Sequence, residues 1–195
     1  MKNAIILHGR PDDWEYYGLE YPAQSNSHWI PWLQKQLQVK DIFTQTPEIP
    51  ISFKPDYKVW EKEFERYDTG PETILVGHSC GGGFIVRWLS EHKETKVGKV
   101  VLVAPWINPG DKPESETGTF FHFDIDPNLS ERTKKTVIFR SSNDVADVLE
   151  TIDILREKIK NIEIREFKNY GHFCKSDLGT EAFPELLEEC LKGNT

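Results

Sequence analysis

The chain has 195 residues, 37% hydrophobic and 12% aromatic, which suits one domain with a sizeable core. Its formal net charge of −8, with 24 Lys and Arg scattered among 32 Asp and Glu, argues against a nucleic-acid surface, which needs clustered cations. No stretch approaches the roughly 20 apolar residues of a membrane span, the apolar run Ala4–Leu7 is too short for a signal peptide, and three cysteines without framework spacing point to a reducing, cytoplasmic setting.

Along the chain, apolar runs alternate with helix-period segments. Ala4–Leu7 reads as a buried strand ending at His8-Gly9, and Trp29–Leu37 as a helix with Ile30, Leu33 and Leu37 on one face. Asp41–Thr44 is a weak strand, and Asp56–Tyr67 is helical with Tyr57, Trp60 and Phe64 aligned. Thr73–Val76 reads as the third strand, and the next helix buries Phe84, Ile85, Trp88 and Leu89. Lys99–Ala104 is the strongest strand, followed by Thr136–Arg140 and Ile162–Phe167. Between those last two lies a helix carrying Val148, Ile152, Leu155 and Ile159; a final helix carries Phe183, Leu186, Leu187, Cys190 and Leu191.

This alternation predicts a single α/β domain over 1–195, a doubly wound three-layer sandwich with a mostly parallel six-stranded sheet. Continuous apolar strands fit burial on both faces. Two segments break the pattern: about 10–27, rich in Pro, Asp, Tyr and Ser, and about 106–132, which ends in the aromatic cluster Phe120-Phe121-His122-Phe123. Both are expected as lid-like loops over the carboxyl edge of the sheet, where such folds bind ligands.

The residues Gly77-His78-Ser79-Cys80-Gly81 spell G-x-S-x-G between a predicted strand and a predicted helix. That context marks a nucleophile elbow, in which glycines permit a turn tight enough to lift the serine hydroxyl above the sheet. A serine needs a base, and the base needs an orienting acid, in the chain order serine, acid, histidine on this type of sheet. Asp144 follows the fifth strand and His172 the sixth, so all three fall at carboxyl ends of strands. Asp147, one turn beyond Asp144, is the competing acid. The oxyanion donors are expected at the backbone N–H of Cys80 and, in the His8-Gly9-Arg10 turn, of Arg10, with Gly9 as the alternative.

Among other histidines, His8 suits shaping that turn, His28 suits packing or capping, His78 points away from an elbow, and His92 suits a helix C-terminus. His122 and its neighbour Phe121 are candidate substrate contacts. No metal is expected, because neither C-x-x-C nor H-E-x-x-H occurs, and Gly81-Gly82-Gly83 lacks the Lys-Ser or Lys-Thr of a phosphate loop. The expected reaction is hydrolysis of a small-molecule carboxylic ester, thioester or small amide through an acyl-enzyme on Ser79, with no cofactor. A non-catalytic protein-binding role and acyl transfer are the alternatives.

Five stretches together resemble the retinoblastoma-binding protein 9-like serine hydrolases, a family of small α/β-hydrolases. They are Ile5-Ile6-Leu7-His8-Gly9, Ser27-His28-Trp29-Ile30-Pro31-Trp32-Leu33, Gly77-His78-Ser79-Cys80-Gly81-Gly82, Val101-Leu102-Val103-Ala104 and Gly171-His172-Phe173. The resemblance implies an esterase-like serine hydrolase in which Ser79, Asp144 and His172 form the triad. Two features depart from it. The stretch between His8-Gly9 and His28-Trp29 is longer here, and Val145-Ala146-Asp147 follows Asp144 without the family's usual Val-Pro.

Overall fold

The structure is a computed structural model that describes residues 2–108 and 118–193. Six strands form one sheet: β1 Asn3–Leu7, β2 Phe43–Gln45, β3 Thr73–His78, β4 Val97–Val103, β5 Thr133–Ser141 and β6 Glu163–Phe167. Their order is β2-β1-β3-β4-β5-β6, and every pairing is parallel. The expected α/β sheet is therefore present and wholly parallel. Every residue of β3 and β4 is buried, which is why these two read as uninterrupted apolar runs.

The helices are α1 Asp13–Tyr17, α2 Ile30–Gln38, α3 Tyr57–Phe64, α4 Cys80–Glu91, α5 Ala146–Lys158, α6 Lys175–Leu178 and α7 Pro184–Leu191. The chain steps from β1 leftward to β2 through α2, and rightward from β3 to β4 through α4. Right-handed crossovers therefore place α2 and α4 on opposite faces. Packing agrees: Trp29 at the start of α2 meets Phe183 beside α7 at 6.1 Å between rings, whereas Phe64 of α3 meets Trp88 of α4 at 4.8 Å. Strand order reverses between β1 and β3, so the crevice beyond their carboxyl ends is where this architecture binds ligands.

Most boundaries move by a residue or two from the sequence expectation, the usual effect of end-fraying and caps. The start of α3 is fixed by Asp56, whose Oδ1 accepts the N–H of Lys58 at 2.8 Å and of Val59 at 3.2 Å. Within 10–27, expected as loop, α1 forms with no buried residue. Its driving force is local, for the N–H of Asp12 donates to Glu15 Oε2 at 3.0 Å, half of a capping box.

The described part of the second loop segment is docked rather than poised over the sheet edge. Phe120 is buried against Trp60 at 5.3 Å, and Arg87 Nη1 donates to the carbonyls of Thr119 and Phe120 at 2.6 and 2.8 Å. Residues 109–117 of that segment lie outside the described residues. Among the described residues no helix is long and apolar enough to cross a membrane.

Candidate active site

Ser79 sits between β3 and α4 with φ 52° and ψ −119°, a region sparsely populated by residues with a side chain and costing about 1–3 kcal/mol. Neighbours over-determine the turn. The Ser79 N–H donates to the Val103 carbonyl at 2.9 Å, and the Ser79 carbonyl accepts from Gly82, Gly83 and Trp106 N–H at 3.0, 3.1 and 3.1 Å. The flanking glycines are required by close approach: a Cβ on Gly81 would lie 2.8 Å from the Leu7 carbonyl oxygen, and one on Gly77 2.7 Å from Gly82 Cα.

The β1 turn lies directly against this elbow, since a Cβ on Gly9 would sit 3.2 Å from Ser79 Cβ. His8 fixes the turn. The Ile49 N–H donates to its Nε2 at 3.0 Å, so the ring proton is on Nδ1, which donates to the Gly9 carbonyl at 2.7 Å. Burial lowers the His8 pKa and keeps the ring neutral. The Cys80 N–H lies in the first turn of α4, where no intrahelical acceptor exists. The Cys80 thiol itself is buried and pushed up to about 12 by desolvation, which makes it inert as a nucleophile.

His172 and Asp144 meet between the loops that follow β6 and β5. His172 Nδ1 lies 2.9 Å from Asp144 Oδ1 and 3.2 Å from Oδ2. The Asp144 side chain is fully buried, and its Oδ1 also accepts the Val145 N–H at 2.7 Å. Two acceptors held on one ring nitrogen place the proton on Nδ1 and leave Nε2 as the basic atom. Asp144, and not its competitor one turn later, is thus the carboxylate that meets this nitrogen. Asp147 sits half-buried in the first turn of α5.

A lattice of bonds that sequence reading missed aligns the two loops. The hydroxyl of Ser141 donates to Asn143 Oδ1 at 2.8 Å, and the same oxygen accepts the Gly171 N–H at 2.9 Å. The N–H groups of Tyr170 and Asn169 donate to Ser141 Oγ and Ser142 Oγ at 3.0 and 3.3 Å. Asp177 Oδ2 accepts the N–H groups of His172 and Cys174 at 2.9 and 3.1 Å. Gly171, with φ 52°, packs so closely that an added Cβ would lie 2.8 Å from Asp177 Cβ. His78 lies beneath, fully buried and held well below the usual 6.5 by desolvation, donating Nε2–H to the His172 carbonyl at 2.8 Å. Through that bond it supports the His172 loop. The short polar run Ser141-Ser142-Asn143 was the available signal, but nothing in it identifies which loop it grips.

Ser79 and His172 line one cavity of about 720 Å³, together with Arg10, Tyr21, His28 and Lys175. The structure does not bring Phe121 or His122 to this cavity. Phe121 packs edge-on against Trp106 at 4.9 Å, and exposed His122 closes a turn through its N–H to the Thr119 carbonyl at 3.1 Å. The wall comes instead from residues 9–28 and 172–181. Among the described residues the grouping with metal-ligand spacing is Glu61, Glu65 and His92, on α3 and at the end of α4 and not among the cavity residues.

A family model described as "Serine hydrolase" matches residues 19–190. The chain belongs to this serine hydrolase family. No curated protein matches it significantly. The ydeN gene product from B. subtilis superposes with a TM-score of 0.79 at 22% identity over 97% of this chain and 96% of that chain. A monoacylglycerol lipase from Paleococcus ferrophilus gives 0.64 at 16% identity, covering 96% and 93%. Est1E from Butyrivibrio proteoclasticus gives 0.62 at 14%, covering 97% and 88%. These likenesses show the α/β-hydrolase fold of this serine hydrolase, and family membership makes it a hydrolase.

Proposed function

We propose that this serine hydrolase cleaves a carboxylic ester, thioester or small amide through an acyl-enzyme on Ser79. The observation that carries the reading is the buried Asp144 carboxylate 2.9 Å from Nδ1 of a His172 that shares its cavity with the strained Ser79. His172 Nε2 takes the Ser79 proton as Oγ attacks the acyl carbon, then returns it to the departing oxygen or nitrogen. Asp144 holds the ring in the required tautomer and stabilises the imidazolium. The backbone N–H groups of Cys80 and Arg10 receive the oxyanion, helped by the N-terminal dipole of α4. Water then attacks the acyl-enzyme with His172 again as base. Within the family, the His28-Trp29-Ile30-Pro31-Trp32 stretch and Gly171-His172-Phe173 favour the retinoblastoma-binding protein 9-like branch.

The test is covalent. A fluorophosphonate probe should add one phosphonyl group to Ser79, located by peptide mapping, and Ser79→Ala should abolish the adduct. A folded protein that takes no label at Ser79 would falsify the reading.

A further inference from the structure

His28 stands in the wall of the Ser79 cavity with one ring nitrogen committed and the other open. The Lys175 N–H donates to His28 Nδ1 at 3.2 Å. A nitrogen accepting that bond carries no proton, so the neutral ring holds its proton on Nε2. Burial opposes a second proton. Among the described residues, Nε2 has no hydrogen-bond partner. The residue is held at φ 57°, in the left-handed region that most side chains avoid. Its ring meets His78 edge-on at 5.7 Å, and His78 in turn meets His172 at 4.9 Å. The result is a neutral N–H donor without an acceptor among the described residues, on a side chain that lines the cavity holding the nucleophile.

Its position indicates which half of the substrate it faces. Gly9 and the Cys80 N–H define the oxyanion side of Ser79. The departing group must lie toward His172, because that ring protonates it. His28 shares the cavity wall with His172 and is tied to Lys175, which lines the same cavity, and on this ground it is assigned to the leaving-group side.

We propose that His28 binds the alcohol half of the substrate, donating Nε2–H to an oxygen which that alcohol carries besides the ester oxygen. This deepens the acyl-enzyme reading and rests on it. The substrates are then esters of oxygenated alcohols, such as glycols, polyols or hydroxy acids, in preference to simple alkyl esters. During acylation the Ser79 Oγ–C bond forms and the ester C–O bond breaks. The serine proton passes through His172 to the departing oxygen, and His28 neither gains nor loses a proton.

The test compares 2-methoxyethyl butyrate with butyl butyrate, which differ by an ether oxygen in place of a methylene. Both form the same butyryl-enzyme, so any difference arises in acylation. The wild type should favour the methoxyethyl ester in kcat/KM by about 3- to 10-fold, the worth of one hydrogen bond. In H28N the side-chain oxygen still accepts from Lys175 N–H and asparagine tolerates the positive φ, but no donor reaches the Nε2 position. H28N should remove the preference by lowering kcat/KM for the methoxyethyl ester alone, with the deacylation rate unchanged. H28Q, which places an amide N–H near the Nε2 position, should restore part of it. Absence of preference in the wild type, equal losses on both esters in H28N, or an unchanged ratio each overturn the proposal. So does failure to cleave either ester while p-nitrophenyl butyrate still acylates Ser79. Loss of all acylation at Ser79 would instead remove the underlying hydrolase reading.

Discussion

On the His172 side of the cavity, the loops after β5 and β6 are stitched to each other by Ser141, Ser142 and Asn143, while Asp177 and His78 hold the His172 backbone. The wall built from residues 10–22 is made differently. There a capping box closes α1, and edge-on rings such as Trp14 with Tyr21 at 5.3 Å and Tyr16 with Tyr17 at 5.1 Å lie at the surface, with Trp14, Tyr17 and Leu19 exposed. The proposed proton transfer would demand placement within a few tenths of an ångström, which fits the bonds from several elements that hold the loops of His172 and Asp144. A wall that shapes substrate access carries no such requirement and can rest on local helix chemistry.

Substitutions on the two sides should therefore differ in kind. The largest effect belongs to Ser79→Ala, which should lower ester turnover by about 10⁴- to 10⁶-fold with the thermal midpoint retained. Asp144→Asn should cost about 10⁴-fold, because the amide favours the wrong imidazole tautomer. Asp147→Asn should change activity by no more than about 3-fold, and a greater loss at position 147 than at 144 would transfer the acid role. Asn143→Ala removes the acceptor shared by Ser141 and Gly171; kcat should fall by about 10- to 100-fold through misalignment, with stability down by about 0.5–1.5 kcal/mol. Trp14→Ala, on the looser wall, should alter stability by less than about 0.5 kcal/mol in denaturant titration. A large loss there would show that α1 is tied down as tightly as the His172 loop.

The tightly bonded side also carries a pH signature. His78, together with His8 beneath the β1 turn, has its folded pKa lowered by burial below the ordinary 6.5. Between the folded values and 6.5 the unfolded chain binds protons that the folded chain refuses. Stability is therefore complete above about pH 6.5 and declines as pH falls below it, by up to about 1.4 kcal/mol per pH unit for each histidine. A thermal midpoint unchanged between about pH 7.5 and pH 5.5 would contradict neutral burial of both rings.

Ser79 and its strand–turn–helix setting were legible because the elbow is local: the glycines, the preceding apolar strand and the following helix lie within one short stretch. The choice between Asp144 and Asp147 was not legible, since both acids follow β5 and one helical turn separates them. Placement of β6 beside β5, with Ser141 opposite Phe167, selects the nearer acid. Phe121 and His122 were read as candidate substrate contacts, and neither lines the Ser79 cavity. An aromatic run signals burial but not its partner, and here its partners are Trp60 and Trp106. His28 was read as a packing or capping group, and its ring does pack on His78 and accept the Lys175 N–H at a helix start; which element supplies that N–H was not legible, because Lys175 arrives from the far end of the chain.

By itself the sequence determined the α/β sheet and the tight, glycine-flanked turn at Ser79, because both are written in short-range periodicity or in turn chemistry. Only the tertiary structure decided which carboxylate meets His172, which loops wall the cavity and which way His28 presents its proton. Those depend on groups distant in sequence meeting across strand ends, and no local pattern encodes such meetings.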